Sequence, residues 1–110
     1  MVTAQAAVLL SERLQPDTQK AIRLVRESNS RKENFTVQQY LYSTVFYLRD
    51  HGEAIEIDGW QAAASDPGAP IIVEFSYADA GGRHVARWEA NIRDGKVIPL
   101  NDSARDLSWH

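Results

Sequence analysis

The residues able to do chemistry in this chain are scattered, and their spacing argues against catalysis. The histidines are His51, His84 and His110, one at a predicted helix end, one in a hairpin and one at the terminus. No pair has the short-range spacing of metal ligands, so no metal site is expected. Glu53, Glu56 and Asp58 alternate on or near a predicted first strand, and with no neighbour placed to shift a carboxyl pKa they read as a solvated strand face rather than paired acids. There is no G-x-S-x-G, S-x-x-K, G-x-G-x-x-G or P-loop, and Gly81-Gly82-Arg83 reads as a turn before it reads as a phosphate nest. Two N-x-[ST] matches, at Asn34 and Asn101, both fall at predicted helix starts, where capping accounts for them. No catalytic residue and no cofactor is therefore assigned.

Two β-hairpins between Ile71 and Leu100 must position whatever site exists. Pairing the first about Ala80-Gly81 sets Val73 opposite Trp88, Phe75 opposite Ala86, Tyr77 opposite His84 and Ile71 opposite Ala90. Large residues then meet small ones on one face, and Glu74 meets Arg87 on the other; a one-residue slip would destroy both patterns. Asp94-Gly95 is a strong two-residue type I′ signal, which would pair Ile92 with Val97. The second face then carries Ile72, Val85, Ile98 and Leu100, apolar side chains that need a cover.

Before the hairpins, Ala54 to Ala63 reads as a strand with a bulge at Asp58-Gly59 that brings Ile55, Ile57 and Trp60 onto one face. The best-marked helix runs from Thr36 to Asp50, with Thr36 and Gln39 as a capping box, Phe35 and Tyr40 as a hydrophobic staple, and Gly52 as the stop. Val37, Leu41, Val45 and Leu48 form its core stripe, and aromatic residues spread apolar surface nearly all round, which predicts burial on most sides. A helix over 16–28 with Ala21, Ile22 and Val25 inward precedes it, and a shorter one is expected over 3–14. After Leu100, Asn101 can cap a short helical stretch through Leu107. The reading is an α+β domain, with two or three N-terminal helices packed on one face of a four-stranded antiparallel meander.

One domain is expected over 1–110, helical through residue 52, sheet over 53–100 and tail beyond, because 110 residues can bury roughly two thirds of their unfolded surface in a single core. Residues 1–50 carry seven Lys/Arg against five Asp/Glu, and residues 51–110 five against ten. The acidic half would repel a phosphate backbone, and the weak basic stripe of Arg13, Lys20, Arg23, Arg26, Arg31 and Lys32 has no motif behind it, so nucleic acid is not an expected partner. Cysteine is absent, which removes disulfides and thiolate chemistry. The apolar run at the start is too short to span a bilayer and lacks a basic n-region, so no membrane span is expected. Compartment stays open: cytoplasmic by default, extracytoplasmic if an N-terminal signal or anchor has been removed.

The run Arg87-Trp-Glu-Ala-Asn-Ile-Arg-Asp-Gly-Lys-Val97 resembles the hairpin of PepSY-type domains, and helices on an antiparallel meander resemble cystatin-like folds, both small bacterial α+β domains in this reading. The resemblance implies a regulatory or ligand-binding accessory domain without catalytic residues. The leading expectation is thus a non-catalytic binding module acting through a protein partner or a second copy, with Ile72, Val85, Ile98 and Leu100 as its interface. The alternative is a small-molecule-binding protein or enzyme with a pocket of several hundred cubic ångströms between helix 36–50 and the sheet, lined by Tyr77, His84, Trp88 and Asn91.

Overall fold

The computed structural model describes residues 16–64 and 69–108. The helix expected over 3–14 and most of the 65–70 turn lie outside them. Helix α1 covers 16–26, and α2 covers 37–50 as Val37–Leu41, a π-helical turn over Tyr42–Phe46, and Tyr47–Asp50. Strands β1 (Glu56–Ala63), β2 (Ile71–Asp79), β3 (Gly82–Asn91) and β4 (Lys96–Pro99) follow, then helix α3 (Asp102–Leu107). The strands form one antiparallel sheet in the order β1-β2-β3-β4. This is the expected α+β meander, with one more helix at its C-terminal end.

The β2–β3 register is the one residue sizes dictate: Val73 faces Trp88, Phe75 faces Ala86, Tyr77 faces His84 and Ile71 faces Ala90. On the other face an Arg87 Nη2 donates to Glu74 Oε2 at 3.0 Å. In β1 the register slips between Ile57 and Gly59, with Gly59 at φ +93°, so Ile57 opposes Tyr77 and Trp60 opposes Phe75. The bulge keeps both on the core face despite their odd spacing.

The second hairpin departs from expectation. Asp94-Gly95 does not form a two-residue type I′ turn, which would need positive φ at both positions; of the two only Gly95 has it, at φ +75°. The loop instead spans Ile92 to Gly95, with Ala90 opposite Val97 and Asn91 opposite Lys96. Asn91 Oδ1 accepts from the Arg93 amide at 3.0 Å and Asp94 Oδ1 from the Lys96 amide at 2.9 Å, and these bonds favour the longer loop. The slip is by two residues, so each side chain keeps its face, and Ile92 leaves the strand.

The core lies between the helices and the Trp88 face. Ala21 and Val25 of α1, Val37, Leu41 and Val45 of α2, Ala104 of α3, and Ile71, Val73, Phe75, Ala86, Trp88 and Ala90 of the sheet form one buried cluster. Trp60 stacks obliquely on Trp88 and on Phe75, with ring centroids 5.6 and 5.1 Å apart, and Phe46 lies 6.1 Å from Phe75. The centre of the helix–sheet space is thereby filled.

Helix α2 begins as expected: Thr36 Oγ1 accepts from the Gln39 amide and Gln39 Oε1 accepts from the Thr36 amide. Its second half does not follow the stripe. Ser43 and Thr44 hydroxyls both donate to the Tyr40 carbonyl, at 2.9 and 2.8 Å, competing with the helical ladder where the π turn forms. A π turn takes in one extra residue and rotates everything after it. Leu48 consequently leaves the core stripe and is 45% exposed, while Phe46 turns toward Phe75. Tyr42 and Tyr47 are also half exposed, so the helix is not buried on most sides within this chain.

Candidate functional site

Two places carry the residues singled out from sequence: the outer sheet face, and one end of the contact between helices and sheet. The outer face is ordered in rows by the pairing. Ala63, Ile72, Glu89 and Ile98 align across all four strands. The next row holds Gln61, Glu74 and Arg87, with Leu100 beside Arg87 through its amide bond to the Arg87 carbonyl at 2.8 Å. Ile98 is 49% exposed and Leu100 39%, and neither they nor Ile72 and Val85 belong to the core cluster.

Helix α3 does not cover these four residues; it takes the opposite face. Asn101 ends the sheet and starts α3: its Oδ1 accepts from the Ala104 amide at 3.0 Å and the Arg87 amide at 3.1 Å, and its Nδ2 donates to the Val85 carbonyl at 2.7 Å. Helix α3 then folds over the Trp88 side, burying Ala104 and packing Leu107 against the core. Its end is held by the Arg31 amide donating to the Leu107 carbonyl at 3.1 Å and by a bridge between Ser30 and Ser108. Trp109 lies outside the described residues.

Placing α3 there leaves a recess of about 160 Å³ near the turn end of the first hairpin. Tyr77, His84 and Ala86 form its sheet wall, Val45 of the π turn its helical wall, and Ser103, Asp106 and Leu107 of α3 its third side. The Tyr77 and His84 rings stack with centroids 4.8 Å apart. His84 Nε2 bonds Asp79 Oδ1 at 3.0 Å, and the Asp79 oxygen also takes the Gly81 amide at 2.8 Å. The hydrogen bond from His84 holds the Asp79 carboxyl below its ordinary value; desolvation, the next-largest effect, opposes it, and the Gly81 amide, the charge interaction with His84 and the Gly82 amide reinforce the lowering. Partial burial, then the Asp79 charge, pushes the Tyr77 phenol up.

Of the four residues read from sequence as pocket-lining, Tyr77 and His84 come together here. Trp88 is fully buried, its indole N–H donating to the Ser108 hydroxyl at 2.7 Å. Asn91 sits at the opposite end of β3, on a shallow hollow shared with Glu89 and Lys96. Sequence reasoning missed Val45, Ser103 and Asp106, since their approach depends on the side of the sheet that α3 takes. A larger hollow of about 460 Å³, between the end of α1, Gly95 and Ser108, has Glu27 as its one ionisable lining residue among those described.

No group of three or more His, Cys, Asp or Glu that could hold a metal occurs among the described residues. In the basic stripe, Arg26 Nε donates to Gln38 at 3.0 Å, Arg31 pairs with Asp106 at 3.4 Å, and the Lys32 ammonium sits 4.5 Å over the Phe35 ring. No described helix is long and apolar enough to cross a membrane. Comparisons with protein-family models, curated proteins and solved structures find no match to this chain, so its geometry alone carries the functional argument.

Proposed function

We propose that this chain is a non-catalytic binding module that works through its outer sheet face, pairing with a second copy of itself. One observation carries the reading: Ile72 and Ile98 flank Glu89 in a row crossing the sheet, with Leu100 beside them, on the face turned away from the core. Along a strand of such a sheet, side chains normally alternate between an apolar core face and a polar solvent face, and apolar side chains grouped on the solvent side favour an interface. Glu74 and Arg87 are already paired at the centre of this face, so they can enter an interface without leaving an isolated charge. A two-fold contact is the simplest closed use of such a face, because one patch serves both partners.

Sedimentation equilibrium over a wide concentration range tests this. The expected result is reversible dimerisation that Ile98→Lys with Leu100→Lys abolishes at unchanged melting temperature, since both side chains are already exposed. A chain that stays monomeric at high concentration overturns self-association, and a dimer insensitive to the double substitution moves the interface elsewhere.

A further inference from the structure

We propose that the recess between Tyr77, His84 and α3 is a binding site for a small organic cation of the guanidinium class. The site is separate from the outer face, because its walls are the core side of the sheet. Three elements distant in sequence build it: the end of the first hairpin, the π turn of α2 and the C-terminal helix. Val45, the buried residue of the π turn, is the wall that α2 contributes. Single π turns inside α-helices occur often at functional sites, and this one borders the recess.

The lining chemistry selects the ligand. Its polar groups are the Asp106 carboxylate, the Ser103 hydroxyl, the Tyr77 phenol and the His84 imidazole, and no Lys or Arg lines it among the described residues. Asp79 holds one imidazole nitrogen, which fixes the ring against Tyr77 and leaves the other without a partner among the described residues. A neutral imidazole with one N–H committed to a carboxylate is an acceptor at its second nitrogen. The recess therefore offers acceptors and an aromatic ring, the combination that recognises a cation with several N–H donors. At about 160 Å³ the recess is a small one, on the scale of a head group such as methylguanidinium.

Arg31 tests the same idea from within the chain. Its guanidinium reaches Asp106 from outside the recess at 3.4 Å, and both side chains are well exposed, so the bond is weak and replaceable. A free guanidinium ligand would compete for that carboxylate. The charged and titratable groups facing the site are Asp79 and Tyr77 from the hairpin, Asp106 from α3, and Arg31 from the loop after α1.

The experiment is a titration of the full chain with methylguanidinium, followed by amide and imidazole NMR shifts, with methylurea as the uncharged probe of the same shape. Saturable shifts at Tyr77, His84, Ser103 and Asp106 are expected, with methylurea at least about tenfold weaker. Asp106→Asn, at an exposed position, should weaken methylguanidinium about tenfold, and Arg31→Ala should strengthen it by releasing the carboxylate. Non-saturating or chain-wide shifts, equal response to methylurea, or an Asp106→Asn titration matching the unmodified chain would each overturn the assignment. Dimerisation through the outer face is read by sedimentation, so the two proposals fail separately.

Discussion

The Trp88 indole N–H and the Ser108 hydroxyl, 2.7 Å apart in the core, tie the centre of the sheet to the last described turn of the chain. Trp88 is fully buried and Ser108 nearly so. A buried donor whose partner is removed pays its desolvation without return, about 1–3 kcal/mol. Ser108→Ala should therefore lower unfolding free energy by about that amount in urea denaturation. The recess should loosen with it, because the same segment anchors α3. Trp88→Phe combined with Ser108→Ala should cost less than the two single changes together, the sign expected for directly bonded partners.

The capping box of α2 offers a cleaner local test. Thr36 and Gln39 satisfy each other's amides at an exposed helix end, where no core packing is disturbed. Thr36→Ala should cost about 1 kcal/mol, and Thr36→Ser or Thr36→Asp should restore most of it. Thermal unfolding followed by circular dichroism reads both.

The capping box was legible in the sequence because it is local: two residue types, three positions apart, with one chemical purpose. The β2–β3 register was legible for another reason, since Val73/Trp88, Phe75/Ala86 and Glu74/Arg87 all agree on one pairing. The β3–β4 turn was not, because Asp-Gly serves a type I′ turn and a longer loop closing on Gly95 equally well. The decision falls to the Asn91 and Asp94 side chains. The recess was half legible. Tyr77 and His84 share a hairpin, whereas Ser103 and Asp106 reach it only because α3 crosses to the Trp88 side, a tertiary choice with no local signal. Leu48 was misplaced because counting at 3.6 residues per turn assumes an uninterrupted ladder.

That interruption makes a deletion prediction. The π turn accommodates one residue more than an α-helix would, so removing exposed Ser43 should convert it to regular helix and leave the flanking side chains in place. The variant should fold with an unchanged near-ultraviolet spectrum. Deleting Gln38 instead rotates Val37 against Leu41 by about 100° and should cost several kcal/mol through lost core contact. Equal damage from both deletions would show that the π turn absorbs nothing.

The Asp79, His84 and Tyr77 group sets opposite pH limits on stability. Asp79 titrates below its ordinary 3.8 in the folded chain, first because His84 hydrogen-bonds it. A depressed carboxyl contributes stability above its unfolded pKa and loses it as pH falls through the folded value. Tyr77 is raised above 10.0, first by desolvation and then by Asp79, so its contribution is complete below pH 10 and disappears as pH rises through the folded value. Melting temperature should therefore exceed that of Asp79→Asn from about pH 5 to 7, with the gap closing as the solution is acidified below about pH 4. Asparagine keeps a side-chain carbonyl for the Gly81 amide, so the comparison isolates the charge. At the other limit, Tyr77→Phe should hold its melting temperature above pH 10 better than the unmodified chain, because it has no phenol to ionise. A gap between Asp79→Asn and the unmodified chain that persists unchanged at pH 2 would mean the aspartate acts through turn geometry, and the charge on its carboxylate would contribute nothing to the fold.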